Sequence, residues 1–152
     1  MKIIEFTYHL NEIDTIANRI LTHFDTKTVL FNGEMGAGKT TLIHALLKAM
    51  DSNDTATSPT FSIVNEYSIP NNKIYHFDFY RIESMEEAYN FGIEDYLNSN
   101  HWLFMEWSER IEELIPSDAQ TITITKVDSD TRSIKLTINT NHLTQKSAMK
   151  TV

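Results

Sequence analysis

The chain has 152 residues, of which 13 are basic and 21 acidic, for a formal net charge of −8. That length suits one compact domain with a real hydrophobic core, and the acid excess argues against a protein that grips nucleic acid through its own phosphate contacts. With no cysteine there are no disulfides and no thiolate metal sites, which fits a reducing compartment.

In chain order, "IIEFTYHL" reads as a strand rich in β-branched and aromatic residues. The start "MKIIEFTYHL" is interrupted by Glu5 and is too short for a signal peptide. No apolar run approaches the roughly 20 residues of a membrane helix, so the expectation is a cytoplasmic protein away from membranes. "NEIDTIANRILTHF" carries apolar residues at helical spacing, with Asn11 placed to cap it. "KTVLF" is a short apolar run of the kind buried in a parallel sheet. A glycine turn follows, and then "TTLIHALLKAM" has helix-forming composition.

The polar loop 51–60 is long for a compact domain and is a candidate functional loop. "FSIVNEYSI" and "KIYHFDFY" read as a hairpin turned at "PNN". "SMEEAYNFGIEDYLNSN" is helical in its first half, with Gly92 as a break. "WLFMEW" is a strand, and "SERIEELI" a helix stopped by Pro116. "TITITKV" and "SIKLTIN" alternate around the turn "DSDTR" as a second hairpin. The polar tail beyond residue 139 has little to bury, so the expectation is a single domain over 1–139 and a mobile tail over 140–152. The pattern predicts an α/β fold of three layers, its mixed sheet having a parallel core and antiparallel hairpin additions.

Three of the four glycines, Gly33, Gly36 and Gly38, fall within six positions. "GEMGAGKT" fits G-x-x-x-x-G-K-[ST] at Gly33, Gly38, Lys39 and Thr40, with a strand before it and a helix after. Phosphates are best cradled by successive main-chain N–H groups at a helix N-terminus, and a Cβ would obstruct that approach. Lys39 supplies a point charge to the outer phosphates, and the Thr40 hydroxyl can ligate Mg²⁺. The segment predicts a P-loop nucleoside triphosphatase or kinase.

Phosphoryl transfer also needs a carboxylate for Mg²⁺ and a group that positions the attacking oxygen. Glu106 ends the apolar strand "WLFME", where ligands of open α/β sheets lie. Asp78, in "YHFDFYR", shares a strand face with His76 and Tyr80. Either acid can hold metal or position water, and sequence alone leaves both assignments open. His76 suits an orienting role behind a ligand. In "SPTF", Pro59 fixes the path of a loop that presents Thr60, a candidate sensor of the γ-phosphate, although an ordinary strand-entry turn also explains it. Arg81 and Arg110 are candidate transition-state cations or partners for nearby acids. "TKVD", Thr125 to Asp128, matches a guanine-reading string, but a hairpin turn explains it fully and no D-x-x-G follows the P-loop.

Taken together, "GEMGAGKTT", "SPTF", "YHFDFYR", "FGIEDYL" and "EW" closely resemble, in that order, the TsaE family, formerly called YjeE, over about residues 5–125. The resemblance implies a small bacterial Mg²⁺-dependent ATPase needed to make threonylcarbamoyladenosine in tRNA. It implies docking on the TsaD–TsaB complex, which ATP turnover resets between rounds, so that tRNA is met only indirectly. Carried over, the loop from Gly33 through Glu34, Met35, Gly36, Ala37, Gly38, Lys39 and Thr40 to Thr41 binds ATP. Thr40, Glu106 and Asp78 serve Mg²⁺, and Thr60 is the switch-like threonine. Trp107 lies beside the nucleotide, and adenine sits near Asn11. Two other readings remain, a small-molecule kinase and a nucleotide-gated adaptor, although no Arg-rich lid is apparent.

Overall fold

Alternation in Lys2–His9 makes β1, whose inward residues Phe6 and Tyr8 are buried. A 3₁₀ turn, Leu10–Glu12, leads into α1, Ile13–His23, which buries Ile16, Ala17 and Ile20 on one face. β2 (Thr28–Asn32) enters the glycine turn and α2 (Lys39–Ala49) leaves it. β3 (Val64–Ile69) and β4 (Asn72–Asp78) form the first hairpin, followed by α3 (Met85–Asn90) and α4 (Ile93–Leu97). β5 (Trp102–Glu106), a 3₁₀ segment (Ser108–Leu114), β6 (Gln120–Lys126) and β7 (Thr131–Ile138) complete the fold. The structure, a computed structural model, describes residues 1–53 and 63–139, so the expectations placed on Thr60 and on the tail from residue 140 fall outside the described residues.

Among the described residues seven strands make one sheet in the order β1-β7-β6-β2-β5-β4-β3. β6, β2, β5 and β4 run parallel to one another, while β3 pairs antiparallel with β4, and β7 with both β6 and β1. The expected parallel core with antiparallel additions is therefore present. Each face of the sheet carries a core. On one face Val29, Phe31, Phe104 and Ile74 pack with the buried sides of α1 and α2. On the other, Leu103, Met105 and Phe77 pack with Ala88 of α3, Ile93 of α4 and Ile111. These are the two helical layers of a three-layer arrangement.

Four local expectations differ from what is observed. Asn11 is not a cap: it lies inside the 3₁₀ turn, Glu12 stands at the N-terminus of α1, and the Glu12 carboxylate accepts the His9 N–H at 2.9 Å. The stretch after Gly92 is helical as well, because Gly92, at φ 84°, breaks the axis and lets α4 restart it. The acidic segment after Trp107 forms 3₁₀ turns with a non-helical Ile111, the short form a chain takes when few positions commit a helix face to the core. Thr131 and Arg132 belong to β7, and the turn is shorter than "DSDTR". Among the described residues no helix is long and apolar enough to cross a membrane.

Candidate functional site

The turn between β2 and α2 is built by glycines with two different jobs. Gly38, at φ 108°, is the N-cap of α2 and occupies the left-handed region that a side chain resists. At Gly33 the constraint is contact, since a Cβ there would stand 2.9 Å from the main-chain oxygen of Ile124 in β6. The loop can lie against β6 only because Gly33 has no side chain. Among the described residues no side chain caps α2 at Gly38, and the start of the helix opens on the space ahead of it, a natural anion position.

That space is a cavity of about 350 Å³ lined by Met35, Gly36, Gly38, Lys39, Thr40, Thr41, Asp78, Glu106 and Trp107. A neighbouring cavity of about 560 Å³ lies between residues 33–37 and residues 123–126 of β6. Gly33, Glu34 and Ala37 line this second cavity rather than the first. Asn11 is exposed and lines neither, but its neighbour Leu10 donates its N–H to the Asp130 carbonyl at 2.9 Å, beside the β6–β7 turn. "TKVD" thus ends a strand adjacent to the glycine loop. Asp128, its last residue, accepts the Asp130 N–H at 2.9 Å, and that bond holds its carboxyl below the usual range. The acid serves its turn, as the sequence reading expects.

Sheet register explains how the two acids meet. His76 pairs with Phe104 and Asp78 with Glu106, and strand alternation puts all four on the face that carries α2. Glu106 is only 5% exposed, and its Oε2 accepts a hydrogen bond from His76 Nε2 at 2.7 Å. His76 is itself buried, and among the described residues its Nδ1 has no hydrogen-bond partner. A buried carboxylate held by one donor is oriented and left able to accept more. Asp78 is partly exposed, and its Oδ1 accepts the Tyr80 N–H at 3.0 Å, which closes the chain sharply after β4.

Trp107, directly after β5, lies in the left-handed region at φ 59°, a conformation that costs on the order of 1 kcal/mol for a non-glycine residue. This turn brings its ring against Tyr80, at 4.9 Å between centroids, and under Lys39 Nζ, at 4.7 Å. The ammonium of Lys39 thus rests on an aromatic face at the cavity edge. Arg81 and Arg110 are exposed and line neither cavity.

Two features were not assigned to the site by the sequence reading. The first is the β6 wall of the second cavity, Thr123 to Lys126. The second is Arg132, which is buried and donates from Nε to the Ala37 carbonyl at 2.8 Å. Its signal was alternation, because Arg132 has the same parity as the buried Ile134, Leu136 and Ile138.

Among the described residues no three His, Asp or Glu side chains converge into a metal cage. Mg²⁺ does not need one, because it is usually held by one or two carboxylates together with phosphate oxygens and water. The oxygen donors bordering the first cavity, Thr40, Asp78 and Glu106, fit that ion.

Comparison with known proteins identifies the family. The family description "Threonylcarbamoyl adenosine biosynthesis protein TsaE" matches residues 7–134. The tRNA threonylcarbamoyladenosine biosynthesis protein TsaE of Haemophilus influenzae is 40% identical over 113 residues, 74% of this chain and 71% of that protein. The protein of the same name from Rickettsia conorii is 35% identical over 122 residues, 80% of this chain and 69% of that protein. The crystal structure of Bacillus subtilis YdiB shares the fold, with a TM-score of 0.70 at 24% identity over 98% of this chain and 95% of that one. With a family match spanning most of its length and relatives of this similarity, the chain belongs to the TsaE family of threonylcarbamoyladenosine biosynthesis proteins.

Proposed function

We propose that this protein is a Mg²⁺-dependent ATPase that acts on the TsaD–TsaB complex and supports repeated rounds of threonylcarbamoyl transfer to tRNA. The observation that carries the reading is the 350 Å³ cavity that gathers Lys39, Thr40, Asp78 and Glu106 around one helix N-terminus. The N–H groups at the start of α2 receive the phosphates. Lys39 exchanges the Trp107 ring for phosphate oxygens, trading a contact worth about 1 kcal/mol for stronger charge-assisted bonds. Thr40 and one or both acids hold Mg²⁺, which when bound neutralises charge on the phosphate oxygens. His76 keeps the Glu106 carboxylate aimed. Asp78, more open to solvent, is the better placed of the two acids to orient an attacking water. The second cavity, between the loop and β6, suits the ribose and base.

The net charge of −8 supports a role reached through protein partners, with tRNA met only indirectly. The test is phosphate release with and without TsaD–TsaB, comparing wild type with Lys39→Ala and Glu106→Ala. Both variants are expected to lose partner-stimulated turnover by about 10²-fold or more. Undiminished turnover in both defeats the assignment. Productive cycling over many rounds on a non-hydrolysable ATP analogue would point instead to a nucleotide-gated adaptor.

A further inference from the structure

Arg132 is a buried cation, 7% exposed, with no carboxylate in ion-pair reach among the described residues. Its bonds go to main-chain carbonyls: Nε to Ala37 at 2.8 Å, and Nη1 to Asp128 at 2.8 Å and Thr131 at 3.0 Å. Burying a guanidinium without a counter-charge is costly, and an apolar residue would fill the position more cheaply. What Arg132 grips is therefore informative. One arm of the fork holds the glycine loop and the other holds the β6–β7 turn.

The grip fixes a direction. In a trans peptide the C=O and the following N–H point opposite ways. Anchoring the Ala37 oxygen on Arg132 turns the Gly38 N–H away from that side chain, and Gly38 lines the 350 Å³ cavity. Among the described residues the Gly38 N–H has no hydrogen-bond acceptor. A flip of this peptide turns ψ of Ala37 and φ of Gly38 together, and Gly38, at φ 108° and without a side chain, offers little steric resistance to it. Flipped, it would aim a carbonyl oxygen at an anion instead of a donor. We propose that Arg132 is a positioning residue of the nucleotide site, clamping the Ala37 carbonyl from behind so that the Gly38 N–H is preset for phosphate and the loop is tied to the β6–β7 turn. This rests on the nucleotide reading of the cavity. A lysine cannot replace it, since one ammonium does not span both carbonyl sets as the planar fork does.

The test titrates MgATP by calorimetry into wild type, Arg132→Lys and Arg132→Gln, at a temperature where circular dichroism reports each as folded. In parallel, the Gly38 amide resonance is followed with and without MgADP. Both variants are expected to bind MgATP about 10- to 100-fold more weakly and to lose the nucleotide-induced shift of the Gly38 amide. A residue of purely structural importance would lower unfolding temperature but leave that shift intact in the folded fraction. Should Arg132→Gln fail to fold, Arg132→Lys, which keeps the charge, carries the test. A wild type that binds beside an Arg132→Lys variant that binds within twofold, with the Gly38 shift preserved, overturns the clamp alone. A wild type that binds no MgATP overturns the nucleotide reading and the clamp with it.

Discussion

His76 and Glu106 form a close polar contact in the site, at 2.7 Å between two buried side chains. Replacing His76 with Ala leaves a buried carboxylate without its donor and opens a void, which together cost about 2–4 kcal/mol. Urea denaturation measures that loss, and His76→Gln, which restores an N–H, is expected to recover part of it. Recovery of stability with no recovery of the proposed ATP turnover would mean that the imidazole does more than hold its neighbour. At this scale much was legible. Lys39, Thr40, Asp78 and Glu106 were recoverable because each follows a spacing or strand-end rule, and the structure brings them to one cavity. The buried role of Arg132 was not legible from its place beside a turn, where a charged residue is ordinarily solvated, and only its parity with Ile134 and Leu136 hinted at it.

Among elements, the contact of the glycine loop with β6 is the least forgiving. A Cβ at Gly33 meets the Ile124 main-chain oxygen at 2.9 Å, and backbone held in the antiparallel ladder with β7, where Ile124 pairs with Ile134, cannot move aside cheaply. Gly33→Ala is expected to cost about 1–3 kcal/mol by chemical denaturation. Gly36→Ala, which meets nothing within 4 Å among the described residues, should pay only for its φ of 84°, about 1 kcal/mol. Equal losses in the two variants would remove the case for a close approach at Gly33. Periodicity located the strands and both long helices, since they bury one face and expose the other. It overran at 108–114, where the segment commits only Ser108 and Ile111 to the interior, and it stopped short at Gly92, which interrupts the helical run without ending it.

For the molecule as a whole, pH response enters through β1. Burial pushes the Tyr8 hydroxyl up to about 12, with the nearby Arg132 charge pulling the other way. The folded chain thus holds this proton more tightly than the unfolded one, so the associated stability is complete below pH 10 and falls as pH rises from 10 towards 12. The effect is about 1–2 kcal/mol, and thermal melts of Tyr8→Phe across that window should show a flatter decline than wild type. The layer architecture was legible from the alternation of strand and helix, but the order of strands was not, because pairing between distant segments leaves no local periodicity. That order sets a schedule for biosynthesis. β2, which carries the glycine loop, is flanked by β5 and β6, and β1 by β7 alone, where Lys2 lies opposite Ile138. On the ribosome the second cavity has no outer wall until residue 126 has emerged, and the first strand has no neighbour until the last is made. A nascent chain stalled before β6 should therefore expose its first strand, with Phe6 and Tyr8 uncovered, as an open ribbon.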